Sequence, residues 1–128
     1  MDYYTATTVD KPIAAAIEQV EAALKEEGFG VLTRIDVANT LKEKIGADFR
    51  PYVILGACNP RLAFEALKRE DKVGTMLPCN VVVQEVEPGR SEVAAIDPVA
   101  SMQAIDNAEL KALAEDVRER LRRVIGRL

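Results

Sequence analysis

The sequence predicts an α+β domain, with a mainly antiparallel sheet of about five strands and long helices near both termini packed on it. Three observations point there. Strand-like and helix-like segments alternate along the 128 residues without a linker, repeat or low-complexity stretch. Glu87-Pro88-Gly89-Arg90 joins two strand-like runs as a tight turn, and a hairpin requires antiparallel pairing. The length suits one domain, residues 1–128, because a chain of this size buries roughly two-thirds of its unfolded surface around one core.

Residues 3–9 are rich in Tyr and Thr and make the first strand. Asp10 is placed to cap a helix with Pro12 in its first turn, and Ile13, Ile17, Val20 and Leu24 follow at helical spacing. Gly28 supplies the left-handed stop. Phe29, Val31, Thr33 and Ile35 alternate with Gly30, Leu32 and Arg34, a strand with one wetter face. A short helix over 37–45 carries Val37, Leu41 and Ile45 four residues apart, and Gly46 closes it. The apolar run 52–58 has the pattern of a buried strand. Asn59-Pro60 opens the next helix, whose Ala63, Phe64 and Leu67 are expected to face inward. Residues 76–86 hold the strongest strand, centred on Val81-Val82-Val83, and 92–96 complete the hairpin until Asp97-Pro98 ends it. The last helix starts near Asp106 or Asn107. Its stripe of Leu110, Leu113, Val117, Leu121, Val124 and Leu128 is either laid over a sheet face or shared with a second subunit.

Composition limits the chemistry. The chain has no His and two Cys, with 17 Lys+Arg against 21 Asp+Glu for a net charge of −4. This excludes a Ser-His-Asp triad, a Cys-His pair, His-liganded zinc and an all-cysteine zinc site within one chain. There is no Gly-x-Gly-x-x-Gly and no phosphate-binding Gly-x-x-x-x-Gly-Lys-Ser/Thr. No apolar run approaches the roughly 18–20 residues of a membrane span, and Met1-Asp2-Tyr3-Tyr4 lacks a signal-peptide pattern. A cytoplasmic location with reduced thiols is the expectation. Arg118, Arg120, Arg122, Arg123 and Arg127 against Glu119 give a local +4. With a sequence pI of about 5.0, that cluster is expected to complement the helix end or pair with acidic groups rather than meet nucleic acid. Glu26-Glu27 and Glu70-Asp71 sit at helix ends and are expected to be solvated.

The chemistry is concentrated in Leu55-Gly56-Ala57-Cys58-Asn59-Pro60 and Leu77-Pro78-Cys79-Asn80-Val81. Each puts a Cys-Asn step at a strand boundary, and if those two strands pair antiparallel the end of one lies beside the start of the other. Cys58 precedes a helix N-terminus, which favours a thiolate. Asn59 doubles as the helix cap, and Asn80 offers a carboxamide. The expected site is therefore Cys58, Asn59, Cys79, Asn80 and Asp97, where Asp97 also suits a turn cap. Cys58 and Cys79, with Met102 nearby, are the candidates for a soft metal such as Cu(I). Three readings follow: a small-ligand or soft-metal binding module; a thiol-based enzyme or redox protein; or an assembly protein whose cysteines are structural.

The blocks Gly28-Phe29-Gly30-Val31-Leu32-Thr33-Arg34-Ile35-Asp36-Val37, Tyr52 with residues 55–60, residues 77–83, and Ile96-Asp97-Pro98 closely resemble the domain-of-unknown-function 302 family. The resemblance covers nearly the whole chain, in the family's order. It implies a TATA-binding-protein-like α+β fold and a homodimer. It marks Cys58, Asn59, Pro60, Cys79, Asn80, Asp97 and Pro98 as the characteristic positions, and it implies no activity.

Overall fold

The computed structural model describes residues 2–128. The elements are β1 (Tyr4–Val9), α1 (Ile13–Glu26), β2 (Gly30–Asp36), α2 (Val37–Ile45), β3 (Tyr52–Cys58), α3 (Pro60–Arg69), a 3-10 segment (Asp71–Met76), β4 (Cys79–Glu87), β5 (Arg90–Ile96), α4 (Pro98–Ser101) and α5 (Ala108–Gly126). The five strands form one antiparallel sheet in the order β1-β5-β4-β3-β2. This is the predicted α+β class.

Local chemistry sets most boundaries. Asn59 Oδ1 accepts from the Leu62 amide at 3.2 Å and Asn107 Oδ1 from the Leu110 amide at 3.0 Å, so α3 and α5 start where their caps stand. Gly28, Gly46 and Gly89 take φ of 85°, 67° and 77°, left-handed values that other side chains resist. Asp10 does not cap α1: the cap position is Pro12, and no side chain bonds the free amides there.

The sheet buries one face strongly. Val53, Leu55, Val81, Val83, Val93 and Ala95 point from it toward Val20 and Leu24 of α1 and Leu121 and Val124 of α5, which together form the main core. Helix α5, about 28 Å long at 1.5 Å per residue, spans the layer, so its apolar stripe is used within the chain. A second cluster, Ala66, Val73, Met102, Leu110 and Ala114, lies where α3, the 3-10 segment and α4 meet the first half of α5. Two expectations need correction in this neighbourhood. Phe64 and Leu67 are 61% and 43% exposed, because α3 turns Ala63 and Ala66 inward instead. Residues 76–78 belong to no strand, since the 3-10 segment ends at Met76 and β4 begins at Cys79.

Candidate ligand cleft

Antiparallel pairing of β3 with β4 sets Ala57 opposite Cys79 and Gly56 opposite Asn80. Paired residues point to the same side of a sheet, so Cys79 follows Ala57 toward the helices and Asn80 follows Gly56 to the opposite face. Cys58 ends β3, one position beyond the partner of Cys79. Both thiols line a single cleft bounded by the strand ends, α3, α4 and α5. Its other walls include Leu62, Ala63, Ala66, Met102, Leu110 and Ala114. Every lining side chain is uncharged, and Asn59 is the only carboxamide among them. Free space amounts to about 480 Å³ including the open mouth, but the cleft is slender: the centre of a water molecule fits in about 40 Å³ of it.

The predicted residues separate into two groups. Cys58, Asn59, Cys79 and Met102 come together at the cleft. Asn80 stands exposed on the other side of the sheet, opposite Gly56 of β3, in a shallow depression that Tyr4, Tyr52 and Ile96 also line. Asp97 is buried behind the cleft wall rather than in it, and its Oδ1 accepts from the Val99 and Ala100 amides to start α4. Its Oδ2 forms an ion pair with Arg118 Nε at 3.2 Å. Among the described residues, no group of three or more Cys, Asp or Glu is arranged to hold a metal ion. Any metal at the cleft would have to use the two thiols and the Met102 thioether.

Burial governs the thiols. It pushes Cys58 above its ordinary value of 9.0, so the helix N-terminus behind it does not produce the thiolate that its position suggested. Cys79 is pushed up to about 11, first by burial and then by the nearby Cys58. Both are neutral thiols near pH 7 and act as part of the apolar wall.

Sequence reasoning turned Ala63 inward but missed Ala66, Ala114 and the space that the three leave. Ala63 and Ala66, one helical turn apart on α3, and Ala114 on α5 leave the space that becomes the cleft, and the only sign of this was small residues where larger ones were expected. It also missed Glu27, expected in solvent but 7% exposed. Arg123 Nε and Arg127 Nη2 donate to its carboxylate at 2.9 and 2.8 Å, and Arg120 Nη1 donates to its backbone carbonyl. Much of the basic end of α5 therefore serves to latch it to the end of α1.

The family described as "Domain of unknown function DUF302" matches residues 5–128. The chain belongs to this family. The DUF302 chain is also similar to a solved structure, the crystal structure of an uncharacterised conserved protein DUF302 from Bacillus stearothermophilus. The two share 35% identity with a TM-score of 0.91, over 99% of this chain and 98% of the other. No curated protein matches the chain. No helix among the described residues of this DUF302 domain is long and apolar enough to cross a membrane.

Proposed function

We propose that this DUF302 domain is a binding module for a small, uncharged, apolar ligand held between the sheet end and helices α3 and α5. The observation that supports this most is the lining itself: a solvent-open cleft between two packed clusters with no charged side chain and a single carboxamide. The Asn59 carboxamide oxygen is already used by the Leu62 amide, which leaves its N–H donors as the polar side-chain contact for a ligand. Its shape is set by the alanines on α3 and α5, which leave room where leucines would close the gap. Indole, naphthalene and n-decanol, titrated against labelled protein by NMR, test this. Saturable shifts centred on Cys58, Ala63, Cys79 and Met102 are expected. Ala63→Leu should weaken binding about tenfold or more while changing stability by under about 1 kcal/mol, because the added methylenes enter free space. The absence of saturable shifts, or equal binding by Ala63→Leu, removes the reading.

A second reading is favoured by one feature: Cys58, Cys79 and Met102 bring three sulfur side chains to the same cleft. Soft sulfur in an apolar pocket suits Cu(I), with both thiol protons released on binding. Anaerobic Cu(I) titration of the reduced chain against Cys58→Ser/Cys79→Ser separates the two readings. Equal uptake by both proteins excludes the metal, while apolar-probe binding is scored independently.

A further inference from the structure

We infer that the cleft selects ligands with one uncharged acceptor oxygen, a ketone or aldehyde carbonyl, met by the N–H donors of Asn59. Such selection rests on the cleft holding an apolar ligand, and it names the one polar group of that ligand. Asn59 is half-buried and lines the cleft. Its Oδ1 accepts from the Leu62 amide at 3.2 Å, which fixes how the carboxamide is turned, because the reverse orientation would set donor against donor. Nδ2 then stands beside Gly28: a Cβ at that position would lie 2.9 Å from Nδ2 and 3.7 Å from Arg120 Nη1. Gly28 adjoins Phe29, another lining residue, so the donors sit at the Phe29 end of the cleft. No group among the described residues accepts from Nδ2. The neighbouring Glu27 carbonyl already accepts from Arg120 Nη1 at 3.2 Å.

Half-buried donors without a protein acceptor make a place for an oxygen, and the surrounding chemistry selects which one. Every lining side chain is uncharged, and Arg120 already pairs with Asp116 at 3.0 Å. A carboxylate would therefore lose its water with no cation in the lining to meet it. A hydroxyl would bring its own donor, and the side-chain acceptors left along the wall are the sulfurs of Cys58, Cys79 and Met102, which accept weakly. A carbonyl only accepts, and so matches donors that have nothing else to bond. Gly28 keeps the place open, since a side chain there would press against Asn59 and strain a backbone at φ 85°.

Binding of 2-acetylnaphthalene, 2-ethylnaphthalene and 2-naphthoate to the full chain and to Asn59→Asp tests this, since aspartate keeps the α3 cap while removing the N–H donors. The ratio of acetyl to ethyl affinity should fall about tenfold from wild type to Asn59→Asp, the effect of losing one hydrogen bond to a neutral oxygen. 2-Naphthoate should bind the wild type more weakly than 2-acetylnaphthalene. An unchanged ratio overturns the selection while leaving the apolar cleft in place, and 2-naphthoate as the tightest ligand overturns it in favour of an acid. If neither neutral compound binds, the cleft reading fails and the selection with it. Should Asn59→Asp not fold, NMR of the wild-type Asn59 side-chain NH2 decides. A downfield proton shift with 2-acetylnaphthalene alone supports the carbonyl, and equal shifts with both neutral compounds overturn it.

Discussion

Helix α5 runs through two regions that are packed differently. Its second half contributes Leu121, Val124 and Ile125 to a core filled by Leu24, Leu55, Val81 and Val83 from α1 and the sheet. Its first half contributes Leu110 and Ala114 to a smaller cluster with Ala66, Val73 and Met102, and beside it the cleft opens. The latches differ as well. At the far end, Glu27 is buried and held by two arginines. At the near end, Arg69 of α3 reaches Glu109 of α5 at 2.6 Å, but Glu109 is 71% exposed, where an ion pair contributes little. One half thus forms a platform closed by a buried latch, and the other a roof whose α3–α5 ion pair is solvent-screened while Asp97 and Arg118 tie α4 to α5.

The largest effect should come from truncating the same residue type in each half. Leu121 and Leu110 are equally enclosed, at 2% and 1% exposed. Leu121→Ala leaves a closed void in the platform and should cost about 3–4 kcal/mol, the transfer term plus a cavity term. Leu110→Ala merges its void with a cleft already open to solvent, so the cavity term largely vanishes and about 2 kcal/mol remains. Urea unfolding of both variants measures the difference. Equal losses would erase the distinction between platform and roof.

Acid titration sharpens the comparison of the latches. Hydrogen bonds from Arg127 and then Arg123 hold the Glu27 carboxyl below the ordinary carboxylate value of 4.5, with burial opposing them. A depressed value in the folded state means stability that is fully present above 4.5 and lost as pH falls through the lowered folded value. Glu27→Gln should therefore show a shallower loss of unfolding free energy than the wild type between about pH 5 and about pH 2. Lys68 and then Arg69 lower Glu65 in the same direction on the roof, so Glu65→Gln serves as the half-buried counterpart. The expected order of flattening is Glu27→Gln beyond Glu65→Gln, and the reverse order contradicts a stronger platform latch.

What the sequence disclosed follows from the range of the interactions involved. Caps and left-handed stops are decided within four residues, and Asn59-Pro60, Gly28, Gly46 and Gly89 were readable for that reason. The approach of Cys58 to Cys79 was readable only on the condition that β3 and β4 pair antiparallel, because the tight turn at residues 88–89 fixes the direction of β4 against β5 alone. Glu27 was not readable: its partners lie 96 and 100 residues away and give no local sign. Asn80 was placed in the site by its likeness to Asn59, yet strand alternation sends it to the opposite face from Cys79. Phe64 and Leu67 were expected inside on hydrophobicity alone, whereas the small residues Ala63 and Ala66 set which side of α3 approaches α5. Periodicity finds an apolar stripe but does not fix how closely two helices approach.

The smallest effects, and the most local, concern the thiols, which sit on the boundary itself. Cys58 stands half-buried at the cleft and Cys79 is buried in the platform wall, so they should differ in reactivity despite matching sequence contexts. Iodoacetamide at about pH 8 should modify Cys58 more slowly than a free thiol, since burial raises it above 9.0. Cys79, pushed up to about 11, should react slower still and only as fast as the chain opens. The same shift has a consequence for stability. A thiol raised in the folded state favours its neutral form there, so its contribution is full below the unfolded value near 9.0 and is lost as pH rises toward about 11. Cys79→Ala should flatten the alkaline limb of stability, and Cys58→Ala should flatten it less. If Cys79 in the folded chain reacts at neutral pH as fast as a free thiol, the cleft wall is more open than its packing implies. A closed, neutral pair leaves the cleft apolar at physiological pH, which is the condition that an uncharged ligand requires.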